Sequence, residues 1–111
     1  MVVEVKVAQV SSRVAGVYIG RSAWAGGPSP LGNPFVLGRD GNREVVIAKY
    51  EQWLERALRS NAAVQSEFAR LVALAQRPGG VVLLCHCTPL ACHGDVLKAK
   101  IEEQIQNQKE N

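Results

Sequence analysis

Val81-Val82-Leu83-Leu84-Cys85-His86-Cys87-Thr88-Pro89-Leu90-Ala91-Cys92-His93-Gly94-Asp95-Val96-Leu97 holds all three cysteines and both histidines of the chain. Four apolar residues in a row, Val81 to Leu84, read as a strand buried on both faces and therefore central in its sheet. The strand is expected to run to Cys87, with Thr88 to Ala91 as a turn. A helix then starts at Cys92 or His93 and reaches about Gln106, with Val96, Leu97, Ile101 and Ile105 recurring at helical spacing. A buried strand feeding the start of a helix decides the fold class, an α/β domain. It also presents backbone N–H groups and the positive end of the helix dipole at one edge.

Working back from that stretch, Pro78-Gly79-Gly80 stops a helix that Asn61 caps and that ends near Gln76, with Val64, Phe68, Leu71, Val72 and Ala75 inward. Another helix spans about Arg43 to Arg59, with Asn42 as its N-cap and Val46, Tyr50, Trp53 and Ala57 on one face. Tyr50 and Trp53 read as core on that spacing. Near the N-terminus, Val3, Val5 and Val7 alternate with Glu4 and Lys6, the pattern of a strand with one buried face. A second strand, Val14 to Ile19, follows the short connection Ser11 to Arg13, and a hairpin between the two is a candidate pairing with a weak turn signal. The order strand, strand, helix, helix, strand, helix predicts a Rossmann-like domain of two or three layers. Its mixed sheet would have three to four strands. The domain would fill residues 1–106, with 107–111 a frayed polar tail.

From Gly20 to Pro34 periodicity vanishes, and four glycines and three prolines exclude a regular element. Long loops inside small domains are usually functional or disordered. Trp24, Leu31 and Phe35 argue for order, because such side chains gain by packing. The loop has neither the Gly-Lys-Ser/Thr ending of a P-loop nor a Gly-x-Gly-x-x-Gly dinucleotide fingerprint.

A chain of 111 residues with net charge +3 is enough for one core. The basic excess lies in residues 1–43, where Lys6, Arg13, Arg21, Arg39 and Arg43 face Glu4 and Asp40. That is too sparse for a dedicated duplex binder, though compatible with a phosphate-bearing partner. No apolar run approaches membrane-spanning length and no secretory signal is evident. Three clustered cysteines suit reduced thiols or metal, so a cytoplasmic location is expected.

Tyr18-Ile19-Gly20-Arg21, Pro30-Leu31-Gly32-Asn33-Pro34-Phe35, Arg43, Tyr50 with Trp53, and the closing Cys-x-Cys-x-Pro-x-x-Cys-His-Gly-Asp at 85–95 stand in a characteristic order. Together they resemble a bacterial and phage family, the domain of unknown function 4326, over about residues 3 to 101. Members of that family often carry Cys-Trp-Cys where this chain has Cys85-His86-Cys87. The resemblance implies no activity, so function rests on the residues.

Cys85, Cys87, Cys92 and His93 are of the types that hold zinc. Against a zinc site stand the single-residue spacing, the single cluster, and the adjacency of Cys92 and His93. An inert buried thiol is the favoured reading of Cys85. Cys92, at a helix start, is expected to have a lowered pKa, with a merely small residue in a tight turn as the competing reading. Gly94 permits close backbone approach to a ligand. Asp95 either caps the helix or serves, beside His93, as the acid–base group of a site. Arg21, Gly32, Asn33 and Arg43 supply guanidinium, backbone and amide donors suited to phosphate, and Trp24 is placed to stack on a base.

The reading these residues support is a small enzyme or sensor for a nucleotide or phosphate ligand. Its pocket would lie between the 20–34 loop and the last helix, with N-glycosidic cleavage suggested by fold analogy alone. A nucleic-acid or protein-binding module using Arg13, Arg21, Arg39 and Arg43 is the alternative, and a zinc-stabilised domain the second. No other cofactor is expected; a homo-oligomer is compatible with the sequence.

Overall fold

A computed structural model describes residues 4–9, 15–20, 28–85 and 92–110. Three strands, β1 (Val5–Gln9), β2 (Val17–Tyr18) and β3 (Val81–Cys85), and three helices, α1 (Arg43–Ser60), α2 (Ala62–Ala75) and α3 (His93–Glu110), follow in the order ββααβα. The sheet runs β1-β3-β2. As the apolar run requires, β3 is central.

Both neighbours of β3 pair with it in parallel. Val5 lies opposite Val81 and Gln9 opposite Cys85, while Val17 lies opposite Leu83 and Tyr18 opposite Leu84. The hairpin and the mixed sheet expected from the sequence are therefore corrected. β1 and β2 flank β3 and do not touch as partners. The physical reason lies in β3, whose four leading apolar residues gain most with a strand on each edge. The Ser11–Arg13 connection, by contrast, has no glycine or asparagine to close a tight hairpin. The backbone N–H of Ile19 donates to the Leu84 carbonyl at 3.0 Å, carrying the β2 ladder one residue further.

Alternation divides the sheet into two faces. Val5, Val81, Leu83 and Cys85 join the main core with Tyr50, Leu54, Phe68, Leu71, Leu97 and Ile101 from the helices. Leu84 and Tyr18, on the opposite face, are buried outside that cluster. The helices thus bring their apolar stripes to one face, and α3 packs against β1 as well as α1 and α2.

Helix boundaries follow the caps. The Asn42 side chain accepts from the Val45 N–H at 2.9 Å. Asn61 serves two helices: its own N–H donates to Ala57 at the end of α1, and its side chain accepts from Val64 in α2. One residue therefore makes the whole α1–α2 corner. At the far end, α3 continues to Glu110 instead of stopping near Gln106. Gln, Lys and Glu are strong helix formers and neither glycine nor proline interrupts them, so residues 107–110 extend the helix.

The α2–β3 turn uses Gly79 and Gly80, both with positive φ, +89° and +68°. A methyl group on Gly80 would collide with the backbone carbonyl oxygen of Glu4, whereas one on Gly79 meets nothing within 4 Å. That carbonyl accepts from the Val81 N–H at 3.0 Å and so sets the β1–β3 register. Gly80→Ala is expected to cost at least about 2 kcal/mol, since left-handed strain of roughly 1–2 kcal/mol adds to the collision. Gly79→Ala should cost about 1 kcal/mol by strain alone. Urea unfolding of the two variants checks the difference.

Candidate functional site

In a parallel sheet every strand ends at the same edge. Here Gln9, Tyr18 and Cys85 finish together, and α3 begins beside them. Cys92 is the residue just before the helix. Its N–H donates to the Asp95 carboxylate at 3.1 Å, and its sulfur accepts from the Gly94 N–H at 3.3 Å. This is a variant of the capping box: Asp95 reaches back to the N-cap N–H as usual, while a thiol, accepting from the second helical residue, takes the place of the usual hydroxyl. Asp95 is exposed.

His93 turns the other way. It is 9% exposed, and its Nε2 lies 2.7 Å from the Ile19 carbonyl oxygen. A carbonyl only accepts, so Nε2 carries a proton and donates. The ring meets Tyr50 edge-on, with centroids 5.0 Å apart. Tyr50 in turn donates its hydroxyl to the Leu31 carbonyl at 2.7 Å. A buried chain of contacts therefore links β2, α3, α1 and the 28–35 segment. Burial, with Cys92 close by, pushes the Tyr50 phenol well above its ordinary range, so it stays protonated.

Gly94 is buried, and the close approach it permits is made to Val7 and Ile19. A methyl there would stand 3.0 and 3.1 Å from their side chains. The expected lowered pKa of Cys92 is also corrected. Its thiol is pushed upward, first by the hydrogen bond shared with Cys85 and then by burial, and these outweigh the Gly94 N–H. The two sulfurs are 3.2 Å apart. Among the described residues no group of three His, Cys, Asp or Glu side chains converges as a metal would need. His93 and Asp95 are committed to Ile19 and Cys92. Cys87, the remaining member of the expected zinc set, lies outside the described residues.

On the facing segment, the Ser29 N–H donates to Gly20 at 2.8 Å and the Gly32 N–H to Ser29 at 3.0 Å. The Asn33 side chain accepts from the Phe35 N–H at 2.9 Å, forming an Asx turn. Leu31 is fully buried, in keeping with the packing expected of it; residues 21–27 of the loop lie outside the described residues. Gly32 and Asn33 thus support the loop's own shape. Arg43 opens α1, partly exposed, two turns before Tyr50 on the same helical face. Arg39 is taken up by Asp40, bonded at 2.9 Å. Arg13, Arg21 and Trp24 lie outside the described residues.

A cavity of about 400 Å³ lies elsewhere, lined by Leu58, Phe68, Val72, Gln76, Gln104 and Gln108 among others. None of its lining side chains ionises, so it offers no acid–base group. The strand-end edge remains the candidate site.

A family model for a domain of unknown function, DUF4326, matches residues 3–103. The chain belongs to this family. No curated protein and no solved structure matches it. Membership thus covers every element of the fold except the last turns of α3. Among the described residues no helix is long and apolar enough to cross a membrane.

Tyr50 is the residue whose part in the site the sequence did not reveal. Helical spacing identified it as core, and it is fully buried; nothing in that spacing foretells a bond to Leu31 nineteen residues earlier. Tyr50→Phe should leave that buried carbonyl without its donor and cost about 1–3 kcal/mol. Chemical unfolding measures the loss, and limited proteolysis should show faster cleavage within residues 28–35.

Proposed function

We propose that the protein binds a small nucleotide-type ligand across the strand-end edge, with Asp95 as the side chain that meets it. The supporting observation is an exposed carboxylate held by a capping bond at the start of α3, beside the ends of three parallel strands. Open α/β sheets take their ligands at that edge.

The charge of the turn refines the reading. Cys92 and Gly94 spend their N–H groups inside the turn, and Asp95 offsets the helix dipole with its own negative charge. A phosphate at this helix start would meet a carboxylate in place of free donors. The ligand's hydroxyl or amino groups therefore belong against Asp95, and its phosphate nearer Arg43. If the ligand is turned over, Asp95 is the acid–base group and an N-glycosidic bond the linkage within its reach. His93 orients the turn, because its Nε2 proton is given to Ile19.

Calorimetric titration with inorganic phosphate, ribose 5-phosphate, nucleosides and nucleoside monophosphates tests this. Binding of at least one nucleoside or nucleotide, with inorganic phosphate inert, is the expected outcome. Asp95→Asn keeps an oxygen for the Cys92 N–H while removing the charge, and should weaken that binding at least tenfold without unfolding the protein. Chromatography of the reaction mixture for released base reads out turnover. No binding across the whole panel would contradict the proposal.

A further inference from the structure

The sulfurs of Cys85 and Cys92 are buried, whereas the Asp95 carboxylate beside them is exposed, and they form a pair of their own. Cys85 is the last residue of β3 and Cys92 the cap of α3. The two are not joined by a disulfide in the structure; the residues are 1% and 3% exposed, with their sulfurs 3.2 Å apart. A disulfide needs an S–S distance of about 2.05 Å, so the sulfurs must close by only about 1.2 Å. Helix α3 carries one sulfur and the central strand the other, and His93 and Gly94 already hold the start of α3 over the sheet through Ile19, after β2, and Val7 of β1.

We infer that Cys85 and Cys92 are a redox pair that hydrogen peroxide converts to an intramolecular disulfide, locking the start of α3 to the end of β3. The near-complete burial of both sulfurs disfavours bulky disulfide oxidants and favours one close to water in size. The Gly94 N–H points at the Cys92 sulfur and favours negative charge there, making Cys92 the first to react. Its sulfur attacks one peroxide oxygen, the O–O bond breaks, and a sulfenic acid and one water result. The Cys85 sulfur then attacks the Cys92 sulfur, the S–O bond breaks, and the second water leaves. Two thiols and one peroxide thus become one disulfide and two waters. The upward-shifted Cys92 thiol makes the reaction slow at neutral pH. Closing this short loop removes freedom from the unfolded chain, so the oxidised protein melts about 5–10 °C higher.

The test uses the full chain and a Cys87→Ser variant, in which Cys85 and Cys92 are the only cysteines. After incubation with hydrogen peroxide, denaturation and alkylation, the variant is expected to lose two hydrogens and take up no alkyl groups. Dithiothreitol should restore two alkylation sites. In the wild-type protein, chymotryptic cleavage after Leu90 separates Cys92 from the other two cysteines. Fragmentation of the linked peptides should then assign the bond to Cys85, which keeps the test valid if the variant folds poorly. Three results would overturn the inference: both thiols still alkylated after oxidation, a bond between Cys87 and either partner, or a disulfide only between two chains. A melting temperature unchanged by a confirmed Cys85–Cys92 bond would overturn the locking of α3.

Discussion

The hydrogen bond from His93 Nε2 to the Ile19 carbonyl fastens the first residue of α3 to the residue after β2. Its two ends are seventy-four residues apart in the chain, and both are buried. Without it the Ile19 carbonyl would lose a buried donor, a penalty of about 1–3 kcal/mol. Gly94 can lie on Val7 and Ile19 only while the helix start stays at this height above the sheet. The edge of Tyr50 fills the space beside the imidazole, and its hydroxyl holds Leu31. Loop, helix and sheet therefore meet through one imidazole, and the shape of the strand-end edge depends on its orientation.

That arrangement divides the roles within Cys92-His93-Gly94-Asp95. Three of the four residues face inward: Cys92 to Cys85, His93 to Ile19, and Gly94 to Val7. Asp95 alone is exposed, and its carboxylate is oriented by the Cys92 N–H. A turn that satisfies its own donors is a poor anion trap and a good platform for one acceptor group. The hydrogen bond with Cys85 and burial raise the Cys92 thiol, although the Gly94 N–H of the turn favours the thiolate as a bare helix start would. Burial and a sulfur partner thus outweigh the helix dipole.

Much of the fold was legible because it rests on local signals. The apolar run of Val81–Leu84 marked the central strand, Asn42 and Asn61 marked helix starts, and Gly79-Gly80 marked the turn before β3. Strand pairing was not legible, because whether β1 meets β2 or β3 depends on distant partners; a weak turn at Ser11–Arg13 is no substitute for them. The helical extent beyond Gln106 was hidden by reading polarity as fraying, although the residues themselves favour helix. At the site, Cys92 to Asp95 stood out through residue type and spacing, and the capping reading of Asp95 was already present. Which way His93 turned was not legible, since its partner comes from the other end of the chain. Tyr50 carried only the signature of a core residue, with its bond to Leu31 invisible to periodicity.

His93 is a structural tie whose Nε2 proton is engaged by the Ile19 carbonyl, and Asp95 is the exposed group of the motif. Long-range ¹H–¹⁵N correlation spectra of the His93 imidazole test it directly. The account predicts a protonated Nε2 throughout pH 5–8, with a pyrrole-like nitrogen shift and slow exchange of its hydrogen. A Nε2 that carries no proton at pH 8, or whose hydrogen exchanges freely with solvent, would contradict it.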